Sequence, residues 1–121
     1  MANDFKRYVA ADVNTSTGAS ATAVYTVPSS SSTPVESIII GITLSNKSAA
    51  GVTASVFLDN YDGTNDVYIV KDAAIPAGSS LEIMSGNKIV VQGDGSTNDV
   101  IRVSSGTSNA VDAIVSVLED V

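Results

Sequence analysis

The amino-acid sequence predicts an all-β protein, a single-domain antiparallel β-sandwich of about nine strands. Val and Ile number 27 against four Leu, and Ser and Thr add 28 more among the 121 residues. Side chains that branch at Cβ lose rotamer freedom in helices and pack well on pleated sheets. Apolar and polar residues alternate over short segments, and turn-forming segments separate these at close intervals. Together these features favour a sandwich or a small barrel.

The nine predicted strands follow one another along the whole chain. They lie near residues 5–9, 22–27, 36–44, 52–59, 66–71, 80–84, 88–92, 99–104 and 111–118. The connectors are rich in residues that tolerate turn conformations. They read NKSAAG, DNYDGTND, IPAG, SGN, GDGSTN and SSGTSN.

Alternation at a period of two predicts which side chains share a face. One predicted face holds Val111, Ala113, Val115 and Val117. A second holds Ile38, Ile40, Ile42 and Leu44. A third holds Val52, Ala54, Val56 and Leu58, opposite Thr53, Ser55 and Phe57. Because local alternation specifies strands and not their pairing, a jelly-roll-like and an immunoglobulin-like sandwich are both open at this point.

The chain is expected to consist of a short N-terminal segment and one folded domain. Residues 1–13 are predicted to form an arm or an edge strand, and residues 14–121 form the sandwich. The segments 14–21 and 29–34 are polar and low in complexity, so we expect surface loops there. A chain of 121 residues is long enough to bury one modest core.

The composition argues against several classes of function. Without Cys or His, the chain lacks a thiol nucleophile, the commonest general base and the commonest transition-metal ligand. A net charge of −7 argues against binding to nucleic acid or to an anionic membrane. No segment has the roughly 20 apolar residues of a membrane helix, and we expect no Sec signal peptide. We therefore expect no enzyme activity and no cofactor.

The segment DNYDGTND, residues 59–66, tests whether the chain binds a metal. An EF-hand loop needs ligands at positions 1, 3 and 5, Gly at position 6 and Glu at position 12. With Gly63 at position 6, Leu58 takes position 1 and Ile69 takes position 12, so the calcium-loop pattern fails. Asp-Gly between strands is typical of a hairpin turn, and we expect no metal there. The alternative is an irregular calcium site built from Asp59, Asp62 and Asp66.

The segment FKRY brings basic and aromatic residues together near the N-terminus. Lys6 and Arg7 are a third of all basic residues in an acidic chain. We expect the two aromatic side chains to dock on a neighbouring subunit while the two basic ones pair with acidic groups. The predicted subunit contact is therefore Phe5, Lys6, Arg7 and Tyr8.

Three parts of the chain carry a resemblance to a known kind of protein. The first is FKRYVAADV with TAVYTVPSS, and the second is VESIIIGITLSNKSAAGVTASVFLDN. The third is YIVKDAAIPAGSSLEIMSGNKIVVQ running into AVDAIVSVLEDV. Over nearly its whole length the chain resembles small virion structural proteins of marine tailed bacteriophages, particularly those of cyanobacteria. The motifs of this resemblance are structural and hold no catalytic residues, so it implies assembly and not a reaction.

The resemblance implies a β-sandwich that binds other virion proteins in repeated copies. We expect a capsid decoration or cement protein that binds the major capsid protein. It would form homo-oligomers, for example trimers, and reside in the virion after assembly in the host cytoplasm. One alternative is a neck, tail or fibre component. Another is a module that binds host-surface glycans through the loops around residues 59–66 and 94–99. Such a site needs an aromatic platform beside acid or amide groups. Such a combination is supplied by Asn60, Tyr61 and Asp62.

Overall fold

The computed structural model describes residues 3–28, 35–60, 66–84 and 86–120, and this part of the chain forms nine strands. They are β1 (Asn3–Ala10), β2 (Thr22–Thr26), β3 (Val35–Asn46), β4 (Val52–Asp59), β5 (Asp66–Ile75), β6 (Ser80–Glu82), β7 (Ile89–Gly93), β8 (Val100–Ser105) and β9 (Val111–Asp120). The predicted all-β fold with about nine strands is confirmed. The largest difference is in β5, which continues beyond Lys71 to Ile75.

The strands form two antiparallel sheets in a sandwich-like arrangement. In the five-stranded sheet the order is β1-β9-β3, and β6 and β7 both pair with the remaining edge of β3. The four-stranded sheet has the order β2-β8-β4-β5. Of these nine strands, only β4 and β5 are both consecutive in sequence and paired with each other. Most pairing therefore joins segments that are distant in the chain, which local sequence pattern does not specify.

The core lies between the sheets and takes one face of each. The predicted inward face of β9 is confirmed, because all four of its side chains are at most 1% exposed: Val111, Ala113, Val115 and Val117. The four-stranded sheet contributes Val56, Ile101 and Val103, which are fully buried. Burial of such side chains is the main favourable term for a domain of this size.

A β-bulge overturns the predicted face of β3. The register between β3 and β9 shifts between Ile39 and Gly41, so Ile40 is an extra residue that breaks the period of two. Ile39 is fully buried, whereas Ile40 is 38% exposed. The core therefore receives Ile39, Ile42 and Leu44, and the outward side receives Ile38 and Ile40.

The outward side of the four-stranded sheet is partly covered by the segment before β2. The alternation predicts that Phe57 lies on the outward face of β4, away from the core. Its side chain is nevertheless fully buried. Its ring lies 5.2 Å from the ring of Tyr68 on β5. The polar segment 14–21 crosses this side of the sheet, and Arg102 Nη1 donates a hydrogen bond to the carbonyl of Ala21 at 2.9 Å. The predicted loop is thus a cover for the sheet.

A short turn is the one helical segment in the ranges that the structure describes. It is a 3₁₀ turn over Gly18–Ser20, and Gly18 has a φ of +62°, which glycine adopts without strain. No helix within those ranges is long and apolar enough to cross a membrane. The predicted loop 29–34 lies outside the described residues.

A buried asparagine organises the turn between β3 and β4. Asn46 is 2% exposed, and its Nδ2 lies 2.8 Å from the carbonyl oxygen of Ala50 and 3.0 and 3.2 Å from those of Ile75 and Pro76. Its Oδ1 accepts a hydrogen bond from the backbone N–H of Ser48 at 2.9 Å. One side chain thus joins the end of β3 in one sheet to the end of β5 in the other.

Candidate docking surface

The outward side of the five-stranded sheet carries a row of apolar side chains. The register places Phe5 opposite Leu118, Leu118 opposite Ile38, and Ile38 opposite Val90. Directly opposed residues lie on the same face of a sheet and about 5 Å apart. One apolar row therefore crosses β1, β9, β3 and β7 from one edge of the sheet to the other.

A second row extends this surface. Val9 lies opposite Ile114, and the bulged Ile40 lies between the two rows. The apolar outer face is the set Phe5, Val9, Ile38, Ile40, Val90, Ile114 and Leu118. The exposed fractions reach 60% for Val90, 65% for Val9 and 77% for Phe5. Single exposed apolar side chains are usual, but a contiguous group of them marks a surface that binds a partner.

Charged groups border the apolar outer face. Arg7 lies between Phe5 and Val9 on β1 and forms no ion pair with any residue in the described ranges. Glu36 and Glu82 are exposed on β3 and β6. An apolar centre with a polar rim is the usual anatomy of a protein–protein interface.

An ion triad lies at the end of the sheet beyond Ile114. Lys47 Nζ is 2.5 Å from Asp12 Oδ1 and 2.8 Å from Asp112 Oδ1, and all three side chains are substantially exposed. The hydrogen bond from Lys47 holds the pKa of Asp112 below its usual value. Exposed ion pairs contribute little to stability, so the triad is best regarded as part of the polar rim.

Strand β1 divides the predicted subunit contact between two sides of the sheet. Phe5 and Arg7 point outward, whereas Lys6 and Tyr8 point toward the inside of the same chain. Lys6 Nζ lies 3.2 Å from Glu119 Oε1, and Tyr8 Oη donates a hydrogen bond to Glu119 Oε2 at 2.6 Å. The acidic partner of Lys6 is therefore within its own chain. Phe5 and Arg7 are the two predicted contact residues that the fold leaves exposed on the outward side of the sheet.

Glu119 is a buried carboxylate at the centre of a polar cluster. It is 1% exposed, and Tyr25 Oη donates a hydrogen bond to its Oε2 at 2.9 Å. Tyr25 Oη also lies 2.8 Å from Ser37 Oγ. Burial raises the pKa of Glu119, but hydrogen bonds from Tyr8, Tyr25 and Lys6 outweigh it and hold that pKa below its usual value. The cluster joins β1, β2, β3 and β9.

The two tyrosines of this cluster are donors to Glu119. Burial, followed by the hydrogen bond and the charge of Glu119, raises the pKa of Tyr8 to about 12. Burial also raises the pKa of Tyr25, and Glu119 adds to that effect. The two rings lie 4.8 Å apart in a tilted arrangement. Both hydroxyls stay protonated near neutral pH, so the cluster fastens β1 to the body of the sandwich.

The residues predicted for calcium or glycan binding lie at the connection between β4 and β5. Asp59 Oδ2 accepts a hydrogen bond from Arg102 Nε at 2.8 Å, and Asp66 lies opposite Asp59 in the register. Asn60 is the last residue described before a gap, and Tyr61 and Asp62 lie outside the described residues. Where the structure does describe the chain, no three acidic side chains come together as metal ligands.

The acidic segment 94–99 forms a local turn. Asp94 Oδ1 accepts hydrogen bonds from the backbone N–H groups of Ser96 and Thr97, each at 2.8 Å. These bonds lower the pKa of Asp94. Its carboxylate therefore serves the turn, which is the usual role of Asp at such a position.

Sequence reasoning missed most of the apolar outer face. Ile114 and Leu118 alternate with the buried residues of β9, and Val9 and Val90 lie on short edge strands. Alternation at a period of two predicts which positions face inward. The same pattern shows that several of the outward positions also hold apolar residues. Ile40 could not be found in this way, because its outward position depends on the bulge.

Comparison of the chain with known protein families, curated proteins and solved structures found no match. Its function is therefore inferred from the geometry and chemistry of its own residues.

Proposed function

We propose that this chain is a non-enzymatic structural protein of a tailed-bacteriophage virion, a decoration or cement protein that binds the capsid shell in many copies. The observation that carries the proposal is the apolar outer face, in which five of the seven side chains are exposed and two are half-buried, on a sheet whose other side is filled by the core. The resemblance of the sequence to small virion structural proteins supports the same role.

The physical properties of this face suit repeated docking. A sheet face is rigid because its backbone groups are already paired, so little conformational freedom is lost on binding. Four strands at about 4.8 Å spacing give a face only roughly 15 Å across, which is small for a stable interface. Each contact is therefore expected to be weak alone, and many copies on a symmetric lattice would hold firmly through multivalency.

The proposed partner is the major capsid protein, and further copies of this chain would complete a homo-oligomer, for example a trimer. A protein that binds the assembled lattice better than free shell subunits stabilises that lattice by mass action. The location that follows is the virion, with assembly in the host cytoplasm. No nucleic acid and no membrane enters this proposal.

The first test is the copy number of the chain in purified virions, measured by quantitative mass spectrometry against the major capsid protein. A copy number comparable with that of the shell protein supports decoration. The symmetry of a neck or tail ring requires about six to twelve copies per particle. Such a copy number would refute decoration and support a neck or tail role. Absence from the particle would refute the virion role.

The second test uses binding of the purified chain to capsids that lack it. Phe5→Ser and Val90→Ser should each weaken binding at least about tenfold, because buried apolar anchors dominate interface energy. Neither should change the melting temperature, since both side chains are exposed. The matched control is Val67→Ser, whose side chain is 51% exposed on β5 of the other sheet. If both outer-face variants bind as the wild type does, this face is not the docking surface.

A further inference from the structure

A small polar cleft lies on the opposite side of the sandwich from the apolar outer face. It has a volume of about 180 Å³, and its walls come from the segment before β2, the irregular part of the β4–β5 pair and the end of β8. The side chains that matter for its chemistry are Thr15, Thr17, Ser55, Tyr68, Lys71, Asp72 and Ser104. All seven carry a hydroxyl, an ammonium or a carboxylate group.

Ser104 is the most informative of these residues. It is 8% exposed, it lines the cleft, and its hydroxyl has no hydrogen-bond partner in the described part of the chain. Among the residues that the structure describes, no buried side-chain oxygen or nitrogen lacks a partner, so the hydroxyl of Ser104 is open to the cleft and accessible there to a ligand. Thr15 and Thr17, across the cleft, are exposed, so their hydroxyls are also accessible from the cleft.

Tyr68 and Lys71 form one wall of the cleft. Tyr68 is 42% exposed, and its ring is backed by the fully buried ring of Phe57 at 5.2 Å. Lys71 Nζ lies 5.4 Å from the centre of the Tyr68 ring, and it forms no ion pair with any described residue. An aromatic ring that is supported by Phe57 and has an ammonium group over it offers an apolar edge and hydrogen-bond donors at one place.

Asp72 supplies an acceptor on the same wall. Its φ is +52°, in the left-handed region, and Ser55 Oγ accepts a hydrogen bond from its backbone N–H at 2.9 Å. The register of β4 and β5 shifts here, and this irregularity turns Asp72 toward Ser55 and the cleft. Backbone in this region costs free energy for a residue with a side chain, and such strain is concentrated at functional sites.

We infer that this cleft binds one ring of an uncharged sugar, as the end or a branch of a longer glycan. The hydroxyls of such a ring both donate and accept hydrogen bonds, which matches a cleft lined by a carboxylate, an ammonium and five hydroxyl groups. Its C–H edges would contact the exposed part of Tyr68. The net charge of −7 disfavours an acidic sugar. The inference does not depend on the proposed virion role.

The location of the cleft has a consequence for a decoration protein. The cleft lies on the four-stranded sheet, and the apolar outer face lies on the five-stranded sheet. A chain that docks through its apolar outer face would therefore present the cleft to the surrounding medium. One domain would then hold the shell on one side and a glycan on the other.

The test is an NMR titration of the isotope-labelled full chain with the methyl glycosides of glucose, galactose, mannose and N-acetylglucosamine, and separately with sialic acid. At least one of the four glycosides should shift the amide signals of residues 68–72 and 104 in a saturable way. Lys71→Ala and Ser104→Ala should each weaken that binding at least fivefold. The matched control is Lys88→Ala, which removes an exposed lysine elsewhere and should bind as the wild type does.

Three outcomes would overturn the inference. One is that none of the four glycosides shifts these signals at concentrations up to about 50 mM, roughly fifty times a dissociation constant of 1 mM. Another is binding that survives both Lys71→Ala and Ser104→Ala in folded variants. The last is saturable binding of sialic acid alone, which would show that the ligand is acidic. Phe5→Ser should leave glycoside binding intact, so failure of this site and failure of the docking surface are distinguishable.

Discussion

Tyr25 Oη donates a hydrogen bond to Glu119 Oε2 at 2.9 Å and thereby joins the two sheets inside the sandwich. Tyr25 belongs to β2 in the four-stranded sheet, and Glu119 belongs to β9 in the five-stranded sheet, 94 positions later in the chain. Tyr8 from the edge strand β1 donates to the same oxygen. A single buried carboxylate therefore positions the strand that carries Phe5 on the apolar outer face.

Removal of the Glu119 carboxylate should destabilise the fold. Glu119→Leu leaves two tyrosine hydroxyls without their acceptor, and we expect a loss of about 3 kcal/mol in the free energy of unfolding. Glu119→Gln keeps an acceptor oxygen and should lose less, about 1–2 kcal/mol. Urea denaturation measures both, and the exposed Glu82→Leu is the control. Equal stability of Glu119→Leu and wild type would contradict the structural role of the cluster.

The same carboxylate predicts a dependence of stability on acid. The folded-state pKa of Glu119 is below its usual value, so its contribution is complete above the unfolded-state pKa of about 4.3 and is lost as the pH falls through the folded-state pKa. The difference in unfolding free energy between wild type and Glu119→Gln should therefore be largest near pH 6 and shrink below about pH 4. Urea denaturation at a series of pH values checks this. A difference that grows toward acid would refute it.

The bulge in β3 predicts unequal losses of stability when either of two adjacent isoleucines is replaced by alanine. Ile39→Ala opens a cavity in the core and should cost about 2–5 kcal/mol. Ile40→Ala removes an outward side chain and should cost less than about 1 kcal/mol. Ile40→Ala should also weaken docking to capsids, whereas its fold should be unchanged. Thermal unfolding of the two variants is the measurement, and a larger loss at Ile40 than at Ile39 would mean that β3 alternates regularly and has no bulge.

Asn46 predicts a strong effect of a single buried amide. Asn46→Ala leaves the carbonyl groups of Ala50 and Ile75 without their donor and should cost about 2–3 kcal/mol. Asn46→Asp should cost more, because a carboxylate would face carbonyl oxygens. The exposed Asn87→Ala is the control and should be neutral within about 0.5 kcal/mol. If Asn46→Asp is as stable as the wild type in thermal unfolding, this arrangement of the turn is wrong.

Much of the fold was predictable because strands and turns depend on residues that are close together in the sequence. The nine strands, the inward residues of β9 and the position of most turns follow from alternation and from turn-forming residues. The bulge at Ile40 was not predictable from the sequence. The position of the extra residue depends on the register of β3 against β9, and a run of three isoleucines does not indicate which of them is extra.

The candidate sites were less predictable than the strands. The sequence predicts that FKRY forms a single contact surface. Pairing with β9 divides this segment, so that Phe5 faces outward while Lys6 and Tyr8 bind Glu119. The cleft brings together Thr15, Lys71 and Ser104, which share no motif. Their proximity is a product of the segment 14–21 crossing the four-stranded sheet.

Alternation, side-chain branching and turn residues were enough to establish an all-β chain of nine strands, since each of these acts over a few neighbouring residues. The division of the strands into two sheets, the outward side of β3 and the meeting of Tyr8, Tyr25 and Glu119 came from contacts between distant residues, and Tyr8 and Glu119 are 111 positions apart. Backbone hydrogen bonds are the same for every strand, so the choice of partner is made by how well the side chains fill the common core.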